Sequence, residues 1–358
     1  MPGWAVMDVI NRRDRVLMAL AAVLTAAAGL TKGVGGLTAF IAAGVALAVL
    51  ATLVSSAVEA MGSSVGPAML GILQSALGNL PELLILVFAL RKGLTGVVQA
   101  TIVGSILANV ALILGMAFVV GGLRHGTQRF PGGAARDIGL TLLLAVFALA
   151  VPSLTSTLHT PADGHERALS VIVAIVLLAA FALLLVYTLL AERSARSDDE
   201  VAHADGWPLW LALTVLAVTG VLAALASDWF VAALEPAVKT LGISDAFAGL
   251  VVVAIAGNAV ENVVGVQLFA KNQSEAALQV VLQSPLQIAM VVAPVVLLLA
   301  PALGAGGFTL VLPPLLLASL LLSAFIAVLV VFDGESTWYE GVVLIGLYVL
   351  IAASFWWG

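Results

Sequence analysis

No cysteine occurs in the 358 residues, which excludes disulfides, thiolate metal sites and cysteine nucleophiles together. Charge is almost as scarce. Only 9% of residues are charged, 14 basic against 20 acidic, too few to keep a soluble domain dispersed, and no basic patch is present for nucleic acid. The four histidines, His125, His159, His165 and His203, all fall in polar connections, so imidazole metal sites are not expected in the apolar interior. No His-Glu-x-x-His pattern, Ser-His pair or Asp pair falls at membrane depth, and an intramembrane hydrolase lacks its residues. Neither enzyme activity nor a cofactor is expected.

What the chain does have is apolar length: 62% hydrophobic residues and a mean hydropathy of +1.18. Runs of about 20 apolar residues, the length of a helix that crosses the hydrocarbon core, fall at 15–31, 36–60, 65–91, 95–122, 135–153, 167–191, 207–236, 244–271, 275–302, 308–332 and 337–357. The expected fold is an all-α polytopic membrane protein of about eleven spans. If the N-terminus is cytoplasmic, Arg12, Arg13, Arg15, Arg124, Arg129, Arg136, Arg193, Arg196 and Lys271 lie inside, against Lys32, Arg91, Lys92, Arg167 and Lys239 outside. Nine basic residues against five favour that orientation in a prokaryotic inner membrane.

The strongly polar run Glu192–Asp205 divides the chain into 1–35 with the first helix, a five-helix set over 36–191, a linker at 192–206 and a second five-helix set over 207–358. The linker reads as a solvated tether, since its Asp198-Asp199-Glu200 lacks the alternating ligands of a calcium loop. An odd number of helices per set forces the second set into the membrane upside down relative to the first, the inverted repeat of many secondary transporters.

Two segments carry the chemistry. Gly78-Asn79-Leu80-Pro81-Glu82 and Gly257-Asn258-Ala259-Val260-Glu261 stand 179 positions apart, each placing a glutamate inside an apolar stretch. A carboxylate at a helix centre costs roughly 2.5 kcal/mol or more in a bilayer, so one that is present faces a partner, a cavity or an ion. Asparagine and glutamate at i and i+3 share a helix face, and Pro81 and the glycines loosen the helix and free backbone carbonyls. Such a site is rich in oxygen and free of sulfur, which suits Ca²⁺ with its roughly six to eight oxygen ligands. Ser105 and Ser284, again 179 apart, either join the site or bond back to their own helices. Gln99, Asn109, Gln279, Gln283 and Gln287 line an aqueous path or tie helices together. Glu59 and Glu235, near the ends of spans 2 and 7, either handle protons or sit in contact with water. Asn272-Gln273-Ser274 forms a lone glycosylation sequon at a cytoplasmic turn.

With Gln99-Ala100 and Gly104-Ser105-Ile106-Leu107-Ala108-Asn109 after the first motif, and Ser284-Pro285-Leu286-Gln287-Ile288-Ala289 after the second, the chain resembles the calcium/cation antiporter superfamily in its calcium/proton exchanger branch. The resemblance implies Ca²⁺ bound between the repeats by Glu82 and Glu261, helped by Asn79, Asn258, Ser105, Ser284 and backbone carbonyls, with Glu59 and Glu235 near the ion path. It implies Ca²⁺ and H⁺ as the exchanged ions, in contact with membrane lipid. Asn262 stands where many of that branch have histidine, Gln283-Ser284-Pro285 where they have Gly-Ser-Ser, and Leu80-Pro81 is closer to sodium-coupled relatives. A sodium-coupled calcium exchanger therefore stays open as an alternative, and a cation channel as a more distant one.

Overall fold

The computed structural model describes residues 10–32, 36–61, 77–130, 133–195 and 207–357, without the side chains of residues 134, 189, 191–195 and 259–262. The start of the third expected span at 65–76 and the linker from 196 lie outside the described residues, as does the side chain of Glu261.

Twelve helices form among the described residues: α1 (Arg12–Thr31), α2 (Gly36–Ala60), α3 (Leu80–Arg91), α4 (Thr95–His125), α5 (Gly133–Thr157), α6 (Glu166–Ala195), α7 (Leu209–Leu241), α8 (Asp245–Gly257), α9 (Ala259–Ala270), α10 (Ser274–Leu303), α11 (Pro314–Phe332) and α12 (Trp338–Ser354). One antiparallel pair, β1 (Gln128–Arg129) with β2 (Glu335–Ser336), joins two connections. Eight of these helices are long and apolar enough to cross a membrane, namely α1, α2, α4, α5, α6, α7, α10 and α11. The span expected over 244–271 is instead two short helices, α8 and α9, parted at Asn258.

The span expected over 308–332 also changes. Its helix begins only at Pro314, because Pro313 and Pro314 lack the N–H that would continue a helix through them, whereas proline fits a first turn. Residues 309–312 are non-helical, yet Leu310 and Leu312 are buried. Their backbone groups are met by side chains. Ser153 Oγ donates to Leu310 O and accepts from Leu312 N, and Ser170 Oγ accepts from Leu310 N. Gln99 Nε2 donates to Thr309 O at 3.1 Å and Val311 O at 2.8 Å. Irregular backbone is tolerated at such depth only when protein satisfies it.

The chain folds as two compact units. The first comprises residues up to Phe88 with Phe181–Leu241, and so holds α1, α2, most of α3, the end of α6 and α7. Here α2 and α7 run antiparallel. Gly36 abuts Pro236 and Phe40 stacks on Phe230 at 4.4 Å, while at the other end Ala57 and Met61 cluster with Trp207, Leu211 and Ala212.

The second unit holds α4, α5, the start of α6 and α8–α12. Its α5 and α11 are likewise antiparallel: Arg136 Nη2 donates to Phe332 O, Gly139 meets Val331, and Ser153 reaches Leu310 at the opposite end. Helices α4 and α8 cross with their backbones nearly touching. A Cβ on Gly249 would lie 2.7 Å from Val97 O, and one on Gly104 would collide with the Leu250 backbone. Small residues permit such approach where lipid gives helices no hydrophobic reason to pack. The connections 126–130, 271–273 and 333–337 meet at one end of this unit. Residues 91–95 and 304–308 meet at the other.

Candidate ion site

Both motifs interrupt a helix at asparagine. Asn79 is a turn residue ahead of α3, and Asn258, at φ −104° and ψ 21°, separates α8 from α9. In the first motif Pro81 has no N–H for the carbonyl of Leu77 one turn back, which explains the break. The second break forms without proline.

The correspondence extends beyond the motifs. Shifted by 179, Leu80–Arg91 falls on Ala259–Ala270, and Thr95 falls on Ser274 at the start of α10. Helix α4 contains a π-helical segment at Ala108–Ile113 and α10 one at Ile288–Val292, within one residue of the same shift. π turns are rare and concentrate at functional sites.

In the second unit Asn258 is fully buried and joins three helices. Its Nδ2 donates to Ser105 Oγ at 3.0 Å and to Ala254 O at 3.0 Å. Its Oδ1 accepts from Ser284 Oγ at 3.0 Å and Asn109 Nδ2 at 3.3 Å. Asn109 also donates to Ser105 O at 2.9 Å. The carbonyl of Ala254 can only accept and the amide of Asn109 here donates, so the network fixes which way the Asn258 amide points. Every hydrogen-bonding position of that amide is filled. By contrast Asn109 Oδ1 is buried with no hydrogen-bond partner among the described residues.

The structure thus brings Ser105, Asn258 and Ser284 into direct contact and adds Asn109. Sequence matching passed Asn109 over as one amide among several, because its counterpart 179 residues on is Ile288. The available signal was its i+4 spacing from Ser105. Gln287 is buried at the end of the helical turn before the π segment of α10. Gln99 is committed to the backbone of 309–311. In the first unit Glu82 is fully buried in the first turn of α3, and Asn79 is buried beside it in sequence. Glu59 is exposed near Arg13 and Asp14, and Glu235 is exposed and paired with Lys239 at 2.7 Å. The side chain of Glu261 lies outside the described residues, although its backbone is in the first turn of α9.

This oxygen- and amide-lined arrangement meets its relatives in sequence. The family model described as sodium/calcium exchanger protein matches residues 35–190 and again 211–357. A "Ca(2+)/H(+) antiporter" of Synechocystis is 35% identical over 344 residues, covering 90% of this chain and 92% of that protein. One of Aphanothece halophytica is 34% identical, covering 88% and 89%. The chain belongs to this family, in its calcium/proton exchanger branch. As a sodium/calcium exchanger family member it is an integral membrane protein. The structure of native YfkE superposes with a TM-score of 0.79 at 27% identity, covering 95% of this chain and 99% of that one. The family model matches the chain twice, and each match contains one of the two motifs.

Proposed function

We propose that the chain is a secondary transporter that exchanges Ca²⁺ for H⁺ by alternating access, working in the cell membrane with its N-terminus inside. The observation that carries this reading is Glu82, fully buried at a helix break whose counterpart 179 residues on carries Glu261. The relatives named Ca²⁺/H⁺ antiporters, matched over nearly their whole length, support it. The antiparallel pairs α2 with α7 and α5 with α11 support an inverted repeat of five and five helices, since each pair joins corresponding members of the two sets.

In this scheme Ca²⁺ is held by Glu82 and Glu261 with Asn79, Asn258, Ser105 and Ser284. The Oδ1 of Asn258 becomes a ligand when Ser284 or Asn109 turns its donor elsewhere, because both of its acceptor positions are otherwise occupied. With both glutamates ionised the site carries two negative charges and attracts a divalent cation. With both protonated it is neutral and reorients without metal. The empty, charged site does not reorient, because carrying two ionised carboxylates through an apolar barrier is costly. Coupling follows from that asymmetry.

The test uses purified protein in liposomes with a pH dye and protein-free vesicles as the control. External Ca²⁺ should drive proton release from the vesicle lumen into the medium. Ca²⁺ uptake that depends on an outward Na⁺ gradient, with no proton movement, would overturn proton coupling and assign the chain to sodium-coupled exchange. Non-saturating Ca²⁺ flux without any counter-ion would indicate a channel.

A further inference from the structure

The two motif half-helices end on matched turns that are closed differently. After α3, Gly93 takes a left-handed conformation at φ +75°, and Leu94 N donates to Ala89 O. After α9, 179 residues on, Asn272 takes the same conformation at φ +60°, and Gln273 N donates to Leu268 O. A left-handed residue other than glycine costs roughly 1–2 kcal/mol, less for asparagine, and a partner for the Asn272 side chain would offset what remains. It has one. Gln128 Nε2 donates to Asn272 Oδ1 at 2.8 Å and to Phe269 O at 3.2 Å.

Gln128 is almost wholly buried, and its amide oxygen rests against Gly121, where any side chain would collide with it. Around this contact His125 Nε2 donates to Ala270 O at 3.0 Å, and Ser274 Oγ donates to Arg129 O at 3.2 Å. Two carbonyls of the last turn of α9 are therefore held by side chains from the end of α4 and the segment after it. The turn after α3 has a glycine where Asn272 stands, and so has no side chain to offer there.

We propose that Gln128 and Asn272 are positioning residues for Glu261. Helix α9 is a short rod with Glu261 in its first turn and the clamp at its last, about 13 Å away at 1.5 Å per residue. At its other end Asn258 is bound to α4 and α10. Pinned at both ends to the same unit, α9 holds Glu261 in fixed register with Ser105 and Ser284. The clamp thereby sets the Ca²⁺ affinity of the site. This rests on the exchange reading given above.

Asn272→Gly tests it, because glycine adopts the left-handed turn freely, which offsets part of the bond lost to Gln128. The expected result is a melting temperature within a few degrees of wild type. The Ca²⁺ concentration for half-maximal proton release should rise about three- to tenfold, the worth of an interhelical hydrogen bond in a membrane protein. Gln128→Leu should shift it the same way. Asn272→Asp, which keeps the acceptor and tolerates the turn, should restore the wild-type value. Wild-type half-saturation in both Asn272→Gly and Gln128→Leu would overturn the proposal. Absence of proton release from the wild-type protein would instead overturn the exchange reading, so the two failures are distinct.

Discussion

Helices α3 and α9 begin alike and end differently. Each follows a broken turn at asparagine, carries its motif glutamate in the first turn and runs for 12 residues. Beyond that point α3 closes on a glycine, whereas α9 closes on an asparagine bound to Gln128. Most of α3 belongs with α2 and α7, and α9 belongs with α4 and α10. On the exchange mechanism proposed above, the common start supplies the two carboxylates. The unlike ends indicate that the two glutamates are held by different parts of the molecule.

The strongest test of the likeness is to neutralise each glutamate separately. Glu82→Gln and Glu261→Gln should each reduce Ca²⁺-driven proton release to the level of protein-free vesicles, since a single remaining carboxylate gives neither the charge for a divalent ion nor the second proton. Full exchange in either variant would show that the two motifs are unequal in chemistry as well as in anchoring.

Next in size is the hub at Asn258. Asn258→Leu takes their present partner from the Ser284 hydroxyl and from one donor of Asn109, and takes one of its bonds from Ser105. The expected loss is about 2–6 kcal/mol of stability, at about 1–3 for each of the two buried groups left unsatisfied. Thermal unfolding in detergent reads it, and an unchanged midpoint would mean that the three helices hold together without the amide.

The turns themselves give a smaller, paired prediction. A Cβ on Gly93 meets no atom within 4 Å, so Gly93→Ala costs only its left-handed backbone, about 1–2 kcal/mol. Gly93→Asn should cost less, because asparagine tolerates that region. Equal melting points for the alanine variant and the wild type would remove backbone conformation as the reason for glycine there.

Much of this was legible in the chain. Hydropathy located α1, α2, α4 to α7 and α10 within a few residues, because a long apolar run in lipid has little choice but helix. The motif glycines and Pro81 were read as loosening their helices, but the spans around them were read as continuous, whereas the chain breaks at Asn79 and Asn258. Hydropathy failed at 308–313, where residues as apolar as a helix form a non-helical segment. What decides there is a pair of prolines and the side chains of Ser153, Ser170 and Gln99, far away in sequence. Gln99 was read for the ion path on the same grounds as Gln287, since an amide among apolar residues serves water or backbone equally well. Repeat matching favoured symmetric residues and so left Asn109 among the amides read as lining a path or tying helices, not among the site residues. Gln128 and Asn272 lie in connections, where composition says nothing of burial, and Asn272 stood out only as part of a sequon.

The smallest effect separates the clamp on α9 from its surface neighbour. Arg129 follows Gln128 directly and pairs with Glu335 at 2.9 Å, but the two side chains are 80% and 42% exposed. Exposed ion pairs contribute about 0–1 kcal/mol and weaken with salt. Arg129→Ala leaves its own carbonyl available to Ser274 and the β1–β2 backbone pairing intact. It should therefore lower stability by less than about 1 kcal/mol, an effect that vanishes at high salt, and leave Ca²⁺ half-saturation unchanged. A shift in half-saturation as large as that of Gln128→Leu would relocate the positioning role from the buried amide to the charged rim, and the contrast between α3 and α9 would then be one of surface charge rather than of buried hydrogen bonds.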